Sequence, residues 1–278
     1  MALPNLIGIG AMKARTSWLY EILMSHPEIC MSKYRKEVMF FDNNYHKGLD
    51  WYEKFFPKSN NQYKYLGEFS PTYFNNKNVP KRIKETYKNS SPKFIVILRD
   101  PVKRAYSSYK FAIQRKNISE SFYDFFNNNS ILYEKSLYSQ ILNYWFKYFP
   151  KEQFLILFLE EYHKNPDKFL SQISDFLNIK KNNFNLNIIS KRSNESFKPR
   201  FHNFYIFLES IVNYLQKKNL NFIVRLLQIL NIKSLFISKN NKLPKLNEKE
   251  YNEIMEYFKK DIKELENICD KKLSFWKY

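Results

Sequence analysis

The stretch LIGIGAMKARTSWLYEILMSHP (residues 6–27) decides the fold. Residues 6–9 are apolar and few, as in a buried strand. A short polar turn follows. A helical pattern then starts near Thr16 and stops at Pro27, whose ring forbids continuation. A strand that turns straight into a helix aims several backbone N–H groups at one spot, and the helix dipole adds positive charge there. The turn therefore predicts an anion site. It does not spell the nucleotide P-loop, which sets Lys directly before the Ser/Thr that ligates magnesium. Here Lys13 comes three residues before Thr16. The plain alternative is an ordinary helix start capped by Thr16.

Outward from this unit, apolar runs alternate with amphipathic segments, which predicts a parallel sheet with crossover helices. Residues 28–32 and 64–69 read as strands, and 43–63 as helix and loop. KFIVILRD (93–100) is the clearest buried strand, with a helix over 102–116. SLYSQILNYWFKYF (136–149) reads as a helix, apolar at Leu137, Ile141, Tyr144, Trp145 and Tyr148; FLILFLE (154–160) reads as a strand. Asn165 is placed to cap a helix that has Pro166 at its first position. After residue 189 comes a basic polar loop, SKRSNESFKPRFHN (190–203), then helical patterns over 201–230 and 248–270. The expected architecture is one α/β domain over 1–278. Its P-loop-like central parallel sheet, flanked by helices, occupies about 1–200, and a mostly helical region follows from 201.

Composition narrows the function. Hydrophobic residues make up 44% of the chain and aromatics 18%, enough for an ordered core. The net charge of +19 favours anionic partners. Lys, Asn, Ile, Phe and Tyr abound while Gly numbers only 4, a profile that an AT-rich genome produces regardless of function, so the charge is not taken as a sign of nucleic acid. Cys30 and Cys269 form no C-x-x-C pair, so a zinc cluster is not expected and both read as thiols. The N-terminus MALPNLIGIG has neither a basic n-region nor a long apolar run, and no stretch reaches the roughly 20 apolar residues of a membrane span. The expectation is a soluble, cytoplasmic protein without stable membrane insertion. A chain trimmed of an anchor would read the same.

A second cluster, KFIVILRDPVKRAYSSY (93–109), holds Arg99, Pro101, Arg104, Ser107 and Tyr109. A metal-dependent NTPase typically wants an acidic residue at the end of such a strand. This chain puts a guanidinium there first, suited to a bidentate phosphate contact. Ser107, eight residues on, could give a hydroxyl to the same group. The plain alternatives are a salt bridge from Arg99 to Asp100 or Glu68, and an exposed helical serine.

Together these residues resemble the sulfotransferase family that uses 3′-phosphoadenosine 5′-phosphosulfate. The first motif is similar to its 5′-phosphosulfate loop. The second resembles its 3′-phosphate motif, Arg-x-Pro-x-x-Arg with Ser eight residues after the first Arg. SHPEICMSKYRKEVMFFD, KGLDWYEKFFP, GEFSPTYF, SLYSQILNYWFKYFP and the closing LSFW resemble, in order, stretches of heparan sulfate and bacterial carbohydrate sulfotransferases. The likeness runs along almost the whole chain and is weakest at about 201–245. Two departures stand out. Arg15 occupies the place of a small loop residue, so its side chain either points out of the loop or helps bind the anion. Phe69 replaces a Lys found before the Thr/Ser-Pro-x-Tyr segment of several heparan-type relatives, which argues against a heparan-like acceptor.

The resemblance implies in-line sulfuryl transfer to a hydroxyl of a carbohydrate or glycolipid, with adenosine 3′,5′-bisphosphate leaving and no metal required. It implies Lys13 at the bridging oxygen. Ala14 and Arg15, with Thr16 and Ser17, hold the 5′-phosphate, and Arg99 with Ser107 holds the 3′-phosphate. Lys198 and Arg200, in the basic loop, would close over that phosphate; a solvated charge run is the alternative. Glu37 matches the family's catalytic carboxylate. Burial between Val38, Phe40 and Phe41 would raise its pKa, whereas pairing with Lys36 is the plain alternative. His26 is a second candidate base, or closes the first helix. Lys36 and Tyr73 are the candidates for acceptor contact. Trp51, Tyr52 and Phe74 could line the cleft, with core packing favoured for Trp51 and Phe74. The competing readings are an ATP-dependent kinase and a basic nucleic-acid or membrane binder without catalysis. The sequence leaves the oligomeric state open.

Overall fold

The first apolar run folds as strand β1 (Leu6–Gly10), buried throughout. Strands β2 (Ile29–Met31), β3 (Tyr65–Phe69), β4 (Lys93–Leu98) and β5 (Phe154–Phe158) join it. They form one sheet in the order β2-β3-β1-β4-β5, every neighbouring pair parallel. Parallel sheets are covered on both faces, so central strands are continuous apolar runs and do not alternate. The computed structural model describes residues 3–58, 62–88, 90, 92–116, 118–185, 207, 210–212, 215 and 245–278.

The helices are α1 (Thr16–Met24), α2 (Leu49–Glu53), α3 (Asn78–Tyr87), α4 (Pro101–Lys116), α5 (Phe122–Asn127), α6 (Ser130–Glu134), α7 (Tyr138–Phe146), α8 (Leu159–Lys164), α9 (Pro166–Leu177), α10 (Glu248–Glu256) and α11 (Lys259–Cys269). Two of them begin where a strand ends with little or no spacer: α4 after β4, and α8 after β5. The carboxyl ends of β1, β4 and β5 therefore open onto helix starts, the usual place for a ligand crevice in such sheets. Asn165 caps α9 by accepting from the Lys168 N–H at 2.9 Å, with Pro166 at the first position, as its sequence requires.

Three expectations shift. Residues 159–160 leave the predicted strand and open α8. Helix α7 buries Tyr138, Ser139, Leu142 and Trp145; of the predicted apolar positions Leu137 and Trp145 are buried, while Ile141, Tyr144 and Tyr148 are only half-buried. Asp261 of α11 accepts from the Ser139 hydroxyl and N–H and so holds that residue buried. The predicted helix over 248–270 is broken at Tyr257–Phe258. There the N–H groups bond three residues back, to Ile254 and Met255, and the buried Phe258 ring packs on Phe126 and Tyr133. The segments 190–203 and 201–230 lie outside the described residues, apart from 207, 210–212 and 215. Cys30 and Cys269 are free thiols.

The C-terminal segment braces the β4–α4 turn. The Tyr251 hydroxyl donates to buried Asp100 at 2.7 Å, and Trp276 Nε1 donates to Glu160 at 2.9 Å. Glu160 in turn accepts from the Asp100 N–H at 3.0 Å. The turn that carries Arg99 is thus clamped by Tyr251 of α10 and by Trp276 of the segment after α11, both far away in sequence.

Candidate active site

The loop after β1 is tightly bent. Ala11 N–H donates to Ile97 of β4 at 2.8 Å, and Ala14 N–H to Ala11 at 3.2 Å. Gly10 opens it. A Cβ there would lie 2.6 Å from Cβ of Phe74, so only glycine lets the strand pass. Lys13 and Arg15 both adopt left-handed backbone, with φ of 70° and 63°. This conformation carries a steric cost for residues with a Cβ, and such outliers gather at functional sites. Arg15 is the N-cap of α1 and makes no side-chain cap, which removes the plain alternative of a helix capped by Thr16. Thr16 is instead the first helical residue. The first N–H groups of a helix have no partner within it, so α1 offers amides to an anion.

Arg99 reaches back to this loop, donating from Nη1 to the Lys13 carbonyl at 3.1 Å. The salt bridges considered for it are not its contacts. Asp100 binds Tyr251 and the Lys103 N–H, and Glu68 accepts three hydroxyls on the other side of β1. Arg104 is a structural residue: it is buried and donates to Ser136 and Leu132, each at 2.6 Å, tying α4 to α6. Tyr109 is buried as well, its hydroxyl on the Glu120 carbonyl.

A cavity of about 710 Å³ joins these parts. Its walls include Lys13, Arg15, Thr16 and Ser17 from the loop, Arg99, Ser107 and Lys110 from the β4–α4 unit, and Lys36 and Glu37. Five cations face one carboxylate there. The pKa of the Lys13 ammonium is pulled down to about 8. Burial is the larger cause and Arg115 the next, with Glu37 pulling the other way. Arg99 is lowered by burial, and Lys36 likewise, with Glu37 opposing. Burial strips water from these cations, and a bound anion would replace it, so this donor set fits a phosphate-bearing ligand. In the structure the Lys13 Nζ rests 3.4 Å above the Phe111 ring.

Comparison with known proteins turns this chemistry into a family. A model of the sulfotransferase domain matches residues 4–277. The chain belongs to the sulfotransferase family. A mouse (Mus musculus) protein named heparan sulfate glucosamine 3-O-sulfotransferase 5 is 37% identical, over 64% of this chain and 54% of its own length. The membrane-associated sulfotransferase kil1 of Dictyostelium discoideum is 29% identical, over 64% of this chain and 57% of its own. The chain thus spans a little over half the length of these curated relatives. A solved sulfotransferase from Alicyclobacillus acidocaldarius shares the fold at a TM-score of 0.69, with 19% identity and full coverage of both chains. Among the described residues, no helix of this sulfotransferase domain is long and apolar enough to cross a membrane.

Lys13, Arg15, Thr16, Ser17, Arg99, Ser107, Lys36 and Glu37 all line the one cavity, while Ala14 is buried beneath the loop. Lys36 bridges its two halves, donating to Ser17 Oγ at 2.8 Å and pairing with Glu37 at 3.2 Å. Lys198 and Arg200 fall outside the described residues. The expected burial of Glu37 is corrected: Val38, Phe40 and Phe41 turn into the core, but the Glu37 side chain keeps 34% exposure and faces the cavity. Tyr73 is corrected too. Following a Ser-Pro turn it was expected in the cleft, yet it is fully buried, its hydroxyl donating to Glu68 at 3.0 Å. Tyr52 is buried on the same carboxylate and Phe74 in the core, while Trp51 packs partly buried against Phe55. His26 is no base: its ring lies buried between the Lys180 carbonyl and the Glu28 N–H.

Sequence reasoning missed the cavity residues Leu159 and His163 of α8, Lys110 of α4, and Pro71 and Thr72. Lys110 had a signal, lying three residues after Ser107 and so on the same face of α4. The α8 residues had none: Leu159 read as the end of the strand over 154–160, and His163 fell between that strand and the Asn165 cap.

Proposed function

We propose that this chain transfers a sulfuryl group from 3′-phosphoadenosine 5′-phosphosulfate to a hydroxyl of a carbohydrate or glycolipid. The observation that carries the reading is the single cavity shared by the Lys13 loop, the Arg99–Ser107 unit and Glu37. A nucleotide phosphorylated at both ends needs two anion sites within one crevice, and ATP does not.

The donor, when bound, supplies the sulfuryl group. The amides at the start of α1 and the Thr16 and Ser17 hydroxyls hold its 5′-phosphate, and Arg99 with Ser107 takes the 3′-phosphate. Lys13 leaves the Phe111 ring to meet charge building on the bridging oxygen, the kind of electrostatic help that usually dominates such sites. Glu37 accepts the proton of the acceptor hydroxyl. Lys36 keeps Glu37 and Ser17 in register and stands at the acceptor side.

The mouse relative's name specifies heparan sulfate. The acceptor of this chain is proposed more broadly as a carbohydrate or glycolipid, because Phe69 is buried over Gly8 and brings no cation to the cavity.

The test is thermal stabilisation by adenosine 3′,5′-bisphosphate, by ATP with magnesium, and by a DNA oligonucleotide. A ligand at 100 times its Kd stabilises by about 2.7 kcal/mol, a readily measured shift. Selective stabilisation by the bisphosphate is expected. Equal or better stabilisation by ATP or DNA would overturn the reading. Labelled donor against a glycan panel then names the acceptor.

A further inference from the structure

Strand β3 buries a carboxylate that the transfer reaction does not use. Glu68 has no exposed surface. Its Oε1 accepts from the hydroxyls of Tyr52 at 2.5 Å and Tyr73 at 3.0 Å, and its Oε2 from Ser70 at 3.1 Å. A buried carboxylate with three neutral donors is costly, and the cost calls for a role beyond filling space.

Two of those hydroxyls pass the contact on. Ser70 Oγ accepts from the Met39 N–H at 3.0 Å, and the Tyr73 hydroxyl accepts from the Phe41 N–H at 3.1 Å. Met39 and Phe41 stand two and four residues after Glu37. Met39 has a φ of 52°, so this stretch must be held in place by its surroundings. Arg82 supports it from α3 through the Phe41 and Asp42 carbonyls, and Thr72 binds Asp42. The third hydroxyl, Tyr52, reaches Glu68 from α2; its ring stacks on Phe40, a contact that Tyr52→Phe keeps, but the hydroxyl itself passes no hydrogen bond to residues 37–41. The network thus has two arms leading toward Glu37 and one that does not.

We propose that Glu68 is a positioning residue: through Ser70 and Tyr73 it fixes the backbone at Met39 and Phe41, and so the aim of Glu37 into the cavity. This rests on the reading of Glu37 as the base. Ionised, Glu68 accepts from all three hydroxyls. Protonated, it must donate through one oxygen, and one of the three donors loses its acceptor. The groups facing it are Tyr52, Tyr73, Tyr87, Ser70 and Asp42. The tyrosines are pushed well above their ordinary pKa by burial and stay neutral donors. Burial pushes Glu68 itself up to about 7, against the pull of its hydroxyl partners, so the network changes state within the neutral range.

The test compares Glu68→Gln, Ser70→Ala, Tyr73→Phe and Tyr52→Phe in sulfuryl transfer, in binding of adenosine 3′,5′-bisphosphate, and in amide exchange at Met39 and Phe41. The first three should lower kcat by roughly tenfold or more, as slight misplacement of a reacting group does. Their affinity for the bisphosphate should stay within about twofold, since the relay does not touch the Lys13 loop. Exchange should quicken at Met39 in Ser70→Ala and at Phe41 in Tyr73→Phe. Tyr52→Phe should keep kcat near wild type on the high-pH side while moving the limb near pH 7 upward, because the lost hydroxyl helps hold Glu68 ionised, and Glu68→Gln should remove that limb from the kcat profile. If Tyr52→Phe loses as much as Ser70→Ala, or Glu68→Gln keeps rate and profile, the proposal is wrong. Glu37→Gln runs alongside. If it remains active the base is misassigned, whereas unchanged exchange at Met39 and Phe41 would sink the relay itself. Should Glu68→Gln fail to fold, the two single-arm variants decide.

Discussion

Binding of adenosine 3′,5′-bisphosphate should draw a proton from solution at pH 8, and Lys13 should be its main destination. In the free protein Lys13 sits below its ordinary pKa, at about 8, through burial and the nearby Arg115. About half of it is therefore neutral at pH 8. An anion in the cavity adds attraction that offsets burial and the Arg115 charge and raises the pKa toward its ordinary 10.5, so each ligand bound should take up about half a proton. The ligand adds little of its own at this pH, because its phosphates lose their second protons near pH 6. The sign follows: affinity falls as pH rises through about 8, by up to tenfold per unit beyond it. The assay is calorimetric titration at pH 8 in Hepes, tricine and Tris, where the slope of observed enthalpy against buffer ionisation enthalpy counts protons. Lys13→Met should flatten most of the slope, and Lys36→Met a smaller part, since Glu37 partly supports Lys36. A wild-type slope of zero, or one unchanged in Lys13→Met, would refute the placement of Lys13 beside the anion.

Two further outcomes follow from the same structure. Arg99→Lys keeps a charge but loses the fork that reaches the Lys13 carbonyl, so the bisphosphate should bind at least about tenfold more weakly, as bidentate arginine sites usually show; unchanged affinity in the same titration would place the 3′-phosphate elsewhere. Glu68 has a folded pKa of about 7 against an ordinary 4.5, so its contribution to stability is fully present below about 4.5 and is lost as pH rises through 7. Urea denaturation of wild type should therefore show a loss of about 3 kcal/mol across that window relative to Glu68→Gln. Parallel curves for the two proteins would mean that Glu68 stays ionised.

Much of the site was legible because its signals are local. The strand, turn and helix of residues 6–24 are separated by so few residues that Lys13, Thr16 and Ser17 must share one tight turn. The Arg99 turn was legible for the same reason, since an apolar strand running into Asp-Pro must turn at once. What failed was the exposure of side chains set by distant segments. Tyr73 follows a polar turn and was expected in the cleft, but Glu68, five residues back on a buried strand, draws its hydroxyl into the core. Glu37 stands among apolar residues and was expected to be buried, but its neighbours take the core side and leave it to the cavity. The burial of Ser139 on α7 depended on Asp261, more than a hundred residues away.

From the sequence alone came the parallel sheet, the helix starts, and the residue types gathered for an anion at the ends of β1 and β4, because periodicity and turn chemistry act over a few residues. Only the tertiary structure decided which polar groups meet. It joined Lys36 to both Ser17 and Glu37, set α8 into the cavity wall, and tied Glu68 to the backbone beyond Glu37. Hydrogen bonds and desolvation depend on atoms brought within a few ångströms, whatever their separation along the chain.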